Sequence, residues 1–115
     1  MKQPNIAIPL EELLKSICDA IRRKKVVEFS YDGKKYEVAP HCLFKEDGIE
    51  NLQGFDPKEK IHLHETMKTF TISKIASFKS SQLKFKTHLG YHFVQKITTT
   101  IYCCVDNPKK WGDEY

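Results

Sequence analysis

"FSYDGKKYEVAPHCLFKEDGIENLQGFD", residues 29–56, decides the fold. Phe29 and Tyr31 alternate with Ser30, and Val27 just upstream alternates with Glu28. This period of two marks a strand with one buried face. Asp32-Gly33 then suits the positive φ angles of a tight hairpin turn. "KKYEV" (34–38) returns with Tyr36 and Val38 on one face. Pro40 offers no N–H to a ladder, so it predicts a break or a sheet edge. "HCLF" (41–44) starts a further strand, Glu46-Asp47-Gly48 turns, and "IENLQGF" (49–55) comes back until Asp56-Pro57 ends it.

Upstream the period is helical. Leu10, Leu13, Leu14, Ile17, Ala20 and Ile21 form one apolar stripe and predict a helix over 10–24. Pro9 suits the helix start, where its missing N–H costs nothing, and Glu11 and Glu12 complement the positive end of the helix dipole. "RRKK" (22–25) complements the negative end and reads as a C-terminal cap. Downstream, "KIHLHE" (60–65) reads as a short strand or a loop. "KTFTISKI" (68–75) reads as β-structure with Phe70 and Ile72 on one face. "LKFKTHL" (83–89) alternates only weakly. "YHFVQKITTTIYCCV" (91–105) has helical spacing at Val94, Ile97 and Ile101, but its β-branched Thr98, Thr99 and Thr100 favour a strand.

The whole is a single α+β domain spanning 1–115. Its N-terminal helix packs on a small, mostly antiparallel SH3/Sm-like β-barrel over about 26–105, followed by a tail, 106–115. Leu13, Leu14, Ile17, Ile21, Phe29, Val38, Leu52 and Ile72 are the expected core.

A chain of 115 residues, 40% hydrophobic and 30% charged, has enough apolar surface for one core and excludes global disorder. The net charge of +4 is compatible with an anionic ligand without demanding a nucleic acid. "IAIPL" (6–10) is too short for a signal peptide, and no apolar run is long enough to cross a bilayer, so no membrane partner is expected. Cys18, Cys42, Cys103 and Cys104 show no CxxC spacing, and the expectation is reduced thiols in a cytoplasmic protein. Cys103-Cys104 reads as a buried thiol beside an exposed one. His62 and His64 share a strand face and could begin a zinc site, but His88, His92, Cys103 and Cys104 add no supporting spacing. Polar surface histidines and no metal are therefore expected. No nucleophile with a positioned base and oxyanion donors can be assembled, so neither an enzyme nor a cofactor is expected.

The helix with its basic end, followed by "VVEFSYDGKKYEVAPHCLF" (26–44), resembles the start of a WYL domain. Tyr31, Pro40 and Leu43 fall where that family's pattern wants a Tyr, a Pro and a Leu. Glu50-Asn51-Leu52 stands in place of the family's Trp-Tyr-Leu triplet, and Gly54-Phe55-Asp56 in place of the small residue, aromatic and Asp that follow. "KTFTISKI" is the counterpart of the family's Arg-rich strand, with Thr71 and Lys74 where arginines are usual and Lys68 in place of another basic residue. The resemblance covers roughly residues 10–78. An ammonium cannot fork onto a phosphate as a guanidinium does, so it implies an altered ligand site.

WYL domains are SH3- or Sm-like ligand sensors, for nucleotides or nucleic acids, often in bacterial transcription regulators and phage-defence systems. Those regulators carry a separate helix-turn-helix, for which the residues before the helix here leave no room. The resemblance thus implies a solitary sensor or adaptor. The expected ligand-binding set is Tyr31, Tyr36, His41, Asn51, Lys68, Thr71 and Lys74, with Tyr31 and Tyr36 read from the residues themselves as stacking platforms beside lysines. The expected function is a non-catalytic regulatory module for a nucleotide or single-stranded nucleic acid. The alternative is a protein-interaction or homo-oligomerisation module that has lost the site.

Overall fold

The computed structural model describes residues 9–58, 67–87, 91, 93 and 95–105. Helix α1 (Leu10–Arg23) begins as the sequence predicts, with Pro9 at its N-cap and the Leu13 N–H donating to the Pro9 carbonyl at 3.0 Å. Leu13, Ile17, Ala20 and Ile21 form its buried face, and Leu14 is half-buried beside them. The helix stops at Lys24, which takes the left-handed conformation (φ 56°, ψ 50°) and returns its N–H to the last turn.

Strands β1 (Lys25–Tyr31) and β2 (Lys34–Glu46) are joined by Asp32-Gly33, at φ 53° and 79°. Both positive angles belong to the tight hairpin turn whose twist matches the strands. β3 (Ile49–Phe55) follows β2 through a second turn of the same kind at Asp47-Gly48. β4 (Lys68–Thr71) runs into a single 3-10 turn, Ile72–Lys74, and β5 (Ile75–Lys84) follows directly. β6 is Thr99–Cys104.

All ladders are antiparallel, in the order β4-β3-β2-β1-β5, with β6 also on β2. This is a six-stranded sheet whose ends, β4 and β5, do not pair with each other among the described residues. It is therefore an open sheet, and the helix packs over it.

Several expectations change. Pro40 does not end a strand: it is buried near the middle of β2. The ladder to β3 shifts register between Pro40 and Cys42, and at that bulge a missing N–H is tolerated. The His41 carbonyl, skipped by β3, accepts the Val105 N–H at 2.8 Å. Residues 68–75 are not one strand, because the 3-10 turn divides them. Alternation fails to reveal β5 because its pairing with β1 carries two register shifts, and Ser77 sits at φ 54°. In the segment 91–105 the strand begins only at Thr99. The stretches 60–65 and 106–115 lie outside the described residues.

The cysteines also differ from expectation. Cys18 is bonded to Cys103, tying α1 to β6, and Cys42 is bonded to Cys104, its register partner across the β2–β6 ladder. Adjacent residues on a strand point to opposite faces, so Cys103 reaches the helix layer while Cys104 meets β2. The partners are 85 and 62 residues apart in sequence, and no local spacing announces them.

The core holds Leu13, Ile17, Ile21, Val27, Phe29, Val38, Leu43, Leu52, Phe70, Ile72 and Val105. A smaller cluster gathers Cys42, Phe44 and Phe93. No helix among the described residues is long and apolar enough to cross a membrane.

Leu52 is fully enclosed. Leu52→Ala should therefore destabilise the protein by roughly 2–5 kcal/mol in denaturant titration; a change below about 1 kcal/mol would place Leu52 outside the core. Reduction of the disulfides, which close loops of 85 and 62 residues, should lower stability by roughly 2–5 kcal/mol each in the same assay. An unchanged midpoint would show that they do not stabilise the fold.

Candidate functional site

The strands β1 to β5 converge on one patterned surface. A cleft of about 640 Å³ opens there, with Phe29, Tyr36 and Phe70 among its lining residues. Phe29 faces Tyr36 in the β1–β2 register, and both alternate inward by strand parity. Phe70 presents its ring edge-on to Phe29 at 5.0 Å and to Tyr36 at 5.2 Å. Such edge-to-face packing adds about 0.5–1.5 kcal/mol per pair beyond burial, so the aromatic floor is held firmly. Gly54 belongs to the same wall: a Cβ there would lie 2.5 Å from Val38 Cγ1 and 2.6 Å from the Ala39 carbonyl oxygen.

The rim is charged. Glu28 and Glu37 stand opposite one another in the β1–β2 ladder, an unfavourable pairing if left alone. Lys79 Nζ lies 3.7 Å from Glu28, and Lys58 Nζ lies 3.6 Å from Glu37, which offsets the repulsion. The Asp56 carboxylate accepts the Lys58 N–H at 2.9 Å and shapes the chain leaving β3. Lys35 and Lys68 also line the cleft, and neither has an ion-pair partner among the described residues. By strand parity Lys68 shares the Phe70 side of β4, whereas Lys35 lines the cleft from the opposite side of β2 to Tyr36, and the Asp56 carboxylate joins the rim. Such a surface can accept a flat ring carrying an anionic group.

The residues singled out from the sequence separate into three places. Tyr36 and Lys68 line the cleft. Tyr31 stands behind it, edge-on to Phe70 at 5.0 Å, and its hydroxyl accepts the Thr71 N–H at 3.0 Å. Asn51 and Thr71 are register partners on the β3–β4 ladder. The Thr71 hydroxyl donates to Asn51 Oδ1 at 3.4 Å, and Asn51 Nδ2 donates to the Ile49 carbonyl at 3.1 Å. Lys74 sits exposed on the 3-10 turn, outside the cleft lining, so the turn that divides β4 from β5 also separates it from Lys68.

His41 is buried elsewhere. Its ring stacks on Phe85 at 5.2 Å and meets Phe55 and Tyr91 at 4.9 and 5.0 Å, and its Nδ1–H, in that tautomer, donates to the Ala39 carbonyl at 2.9 Å. Tyr91 donates its hydroxyl proton to Gln53 Oε1 at 2.9 Å, and burial pushes its pKa far above the ordinary phenol value.

Sequence reasoning missed Lys35, Lys58 and Lys79. Lys35 was within reach, being adjacent to Tyr36 on a recognised strand. Lys79 was hidden by the bulges of β5. His62, His64, His88 and His92 lie outside the described residues, and Cys103 and Cys104 are held in disulfides. No group of His, Cys, Asp or Glu among the described residues could hold a metal ion.

Comparison of the chain with protein-family models, curated proteins and solved structures found no match.

Two substitutions test this construction. Gly54→Ala should destabilise the fold by about 1–3 kcal/mol, because the new methyl meets a backbone carbonyl that cannot swing away. Tyr31→Phe should cost about 0.5–1.5 kcal/mol through loss of the acceptor for the Thr71 N–H. Thermal or chemical denaturation of both variants checks the order; wild-type stability of Gly54→Ala would contradict the close approach.

Proposed function

We propose that the protein is a non-catalytic regulatory or sensor module whose cleft binds an anionic ligand, a nucleotide or a segment of single-stranded nucleic acid. The observation that carries this reading is the meeting of Tyr36, backed by the buried Phe29 and Phe70, with Lys68 on the Phe70 side of β4 and Lys35 from the other side of β2, neither lysine held in an ion pair among the described residues. A base has a π-face for Tyr36, and a phosphate supplies the charge that both lysines lack. In this reading Tyr31, Asn51 and Thr71 hold the β3–β4 edge that presents Lys68, while His41 and Lys74 stay outside the contact.

The resemblance to WYL domains agrees with this assignment. The long β2 shared by β1 on one side and β3 on the other supports reading the open sheet as a relative of SH3/Sm-like barrels. The reading does not depend on compartment, because no cysteine lines the cleft. Cytoplasmic location was expected from reduced thiols; the two disulfides favour an oxidising compartment instead.

A thermal-shift screen of mono-, di- and cyclic nucleotides and short oligonucleotides tests the proposal. A ligand should raise the melting temperature by an amount that grows with the logarithm of its concentration above its dissociation constant. Lys35→Ala and Lys68→Ala should each weaken binding about tenfold or more, the loss expected for one charge-assisted phosphate contact. Absence of any shift at low salt, with a mass that grows with protein concentration, would turn the assignment to the oligomerisation module.

A further inference from the structure

A second concavity lies where α1 ends. About 670 Å³ in volume, it is lined by Arg22, Arg23, Lys24, Lys25, Lys84 and Phe85, together with Gln82. Its charge is one-sided. Asp19 pairs with Arg23 at 3.1 Å, and Lys24 Nζ donates to the Thr87 hydroxyl at 2.8 Å. Arg22, Lys25 and Lys84 have no ion-pair partner among the described residues. A helix C-terminus carries roughly half a negative charge, which one cation satisfies. Capping alone therefore accounts for part of "RRKK" and not for the surplus.

This surplus works against the free fold. Lys25 and Lys84 are register partners across the β1–β5 ladder, so like charges face each other directly. Lys24 also occupies the left-handed conformation at φ 56°, a position where glycine is free of the side-chain penalty. The Phe85 N–H donates to the Lys24 carbonyl at 2.9 Å, which fixes the end of β5 against the end of the helix and holds the cations on one concave surface. A multivalent anion would relieve the repulsion that the ladder otherwise retains.

We infer that this concavity is a second binding site, for the phosphodiester backbone of a single-stranded nucleic acid, held through phosphates by Arg22, Lys25 and Lys84. The exposed Leu83 projects to the opposite side of β5 from Gln82 and Lys84 by strand parity, so it does not join Phe85 in an apolar insert beside the cations, as a lipid-binding face would require. The site is separate from the cleft: the two share no lining residue, and this inference stands whether or not the cleft takes a nucleotide.

Fluorescence anisotropy with a labelled oligothymidylate over a salt series reads the site directly. For the double variant Arg22→Ala/Lys84→Ala, the slope of log affinity against log salt should flatten by about 1.4, or roughly 0.7 per lost phosphate contact. Lys35→Ala/Lys68→Ala should leave these two contacts in place, and its binding should retain the further loss of about 1.4 when Arg22 and Lys84 are also changed. Lys84→Glu gives a readout that a merely structural role cannot imitate. It should raise the melting temperature of the free protein by pairing with Lys25 while weakening oligonucleotide binding. An unchanged slope in the Arg22/Lys84 variant, no binding of the oligonucleotide at low salt, or binding of anionic lipid vesicles in its place would overturn the inference.

Discussion

One strand must serve three partners, and the rest of the molecule depends on that. β2 pairs with β1 through residues 34–38, then with β3 through 39–46, and accepts β6 on the edge opposite β3 over 42–46. The hand-over falls at Pro40, where the missing N–H and the shift of register coincide. A straight, fully paired β2 would leave Pro40 as a gap in the ladder. With the bulge, the gap becomes a place to change partners, and the His41 carbonyl left over is used by Val105. The enclosed core of Val27, Val38, Leu43 and Leu52 is built on both arms of that strand.

The same arrangement sets the electrostatics. Period-two alternation puts Phe29, Tyr31 and Tyr36 on one face of the β1–β2 hairpin and Glu28, Lys35 and Glu37 on the other. Around the cleft, acidic and basic side chains largely compensate each other, with Glu28 and Glu37 answered by Lys79 and Lys58. At the end of α1 the compensation among the described residues is smaller, Asp19 answering Arg23, and cations from the helix, β1 and β5 gather around Phe85. One surface thus combines stacking with a little charge, whereas the other is charge with little else. In physical terms, the first suits selection of a ligand by shape and the second attraction of a polyanion at a distance.

Disulfides brace this frame at its C-terminal strand. β6 is short, and among the described residues its ladder is to β2. Bonds from Cys103 to the helix and from Cys104 to β2 hold it from both faces. Val105, just past it, enters the main core. Closing loops of this length removes much of the unfolded chain's freedom, which is the usual source of a disulfide's stabilisation.

Local chemistry by itself determined α1, both two-residue turns, β1, β3 and most of the core, because each rests on neighbours in the chain. Helical spacing needs only residues three and four apart, and Asp32-Gly33 and Asp47-Gly48 reach positive φ without help from afar. Tyr36 and Lys68, singled out from their strand positions, both line the cleft. Tertiary structure alone decided the passage of β2 through Pro40, the ladder of β5, the burial of His41 among Phe55, Phe85 and Tyr91, and the separation of Lys74 from Lys68. It also decided which cysteines meet. A bulge erases the period-two signal, and a contact across 62 or 85 residues leaves no spacing to read. Such pairings exist only once the sheet has brought distant segments into register, because their energy comes from neighbours in space.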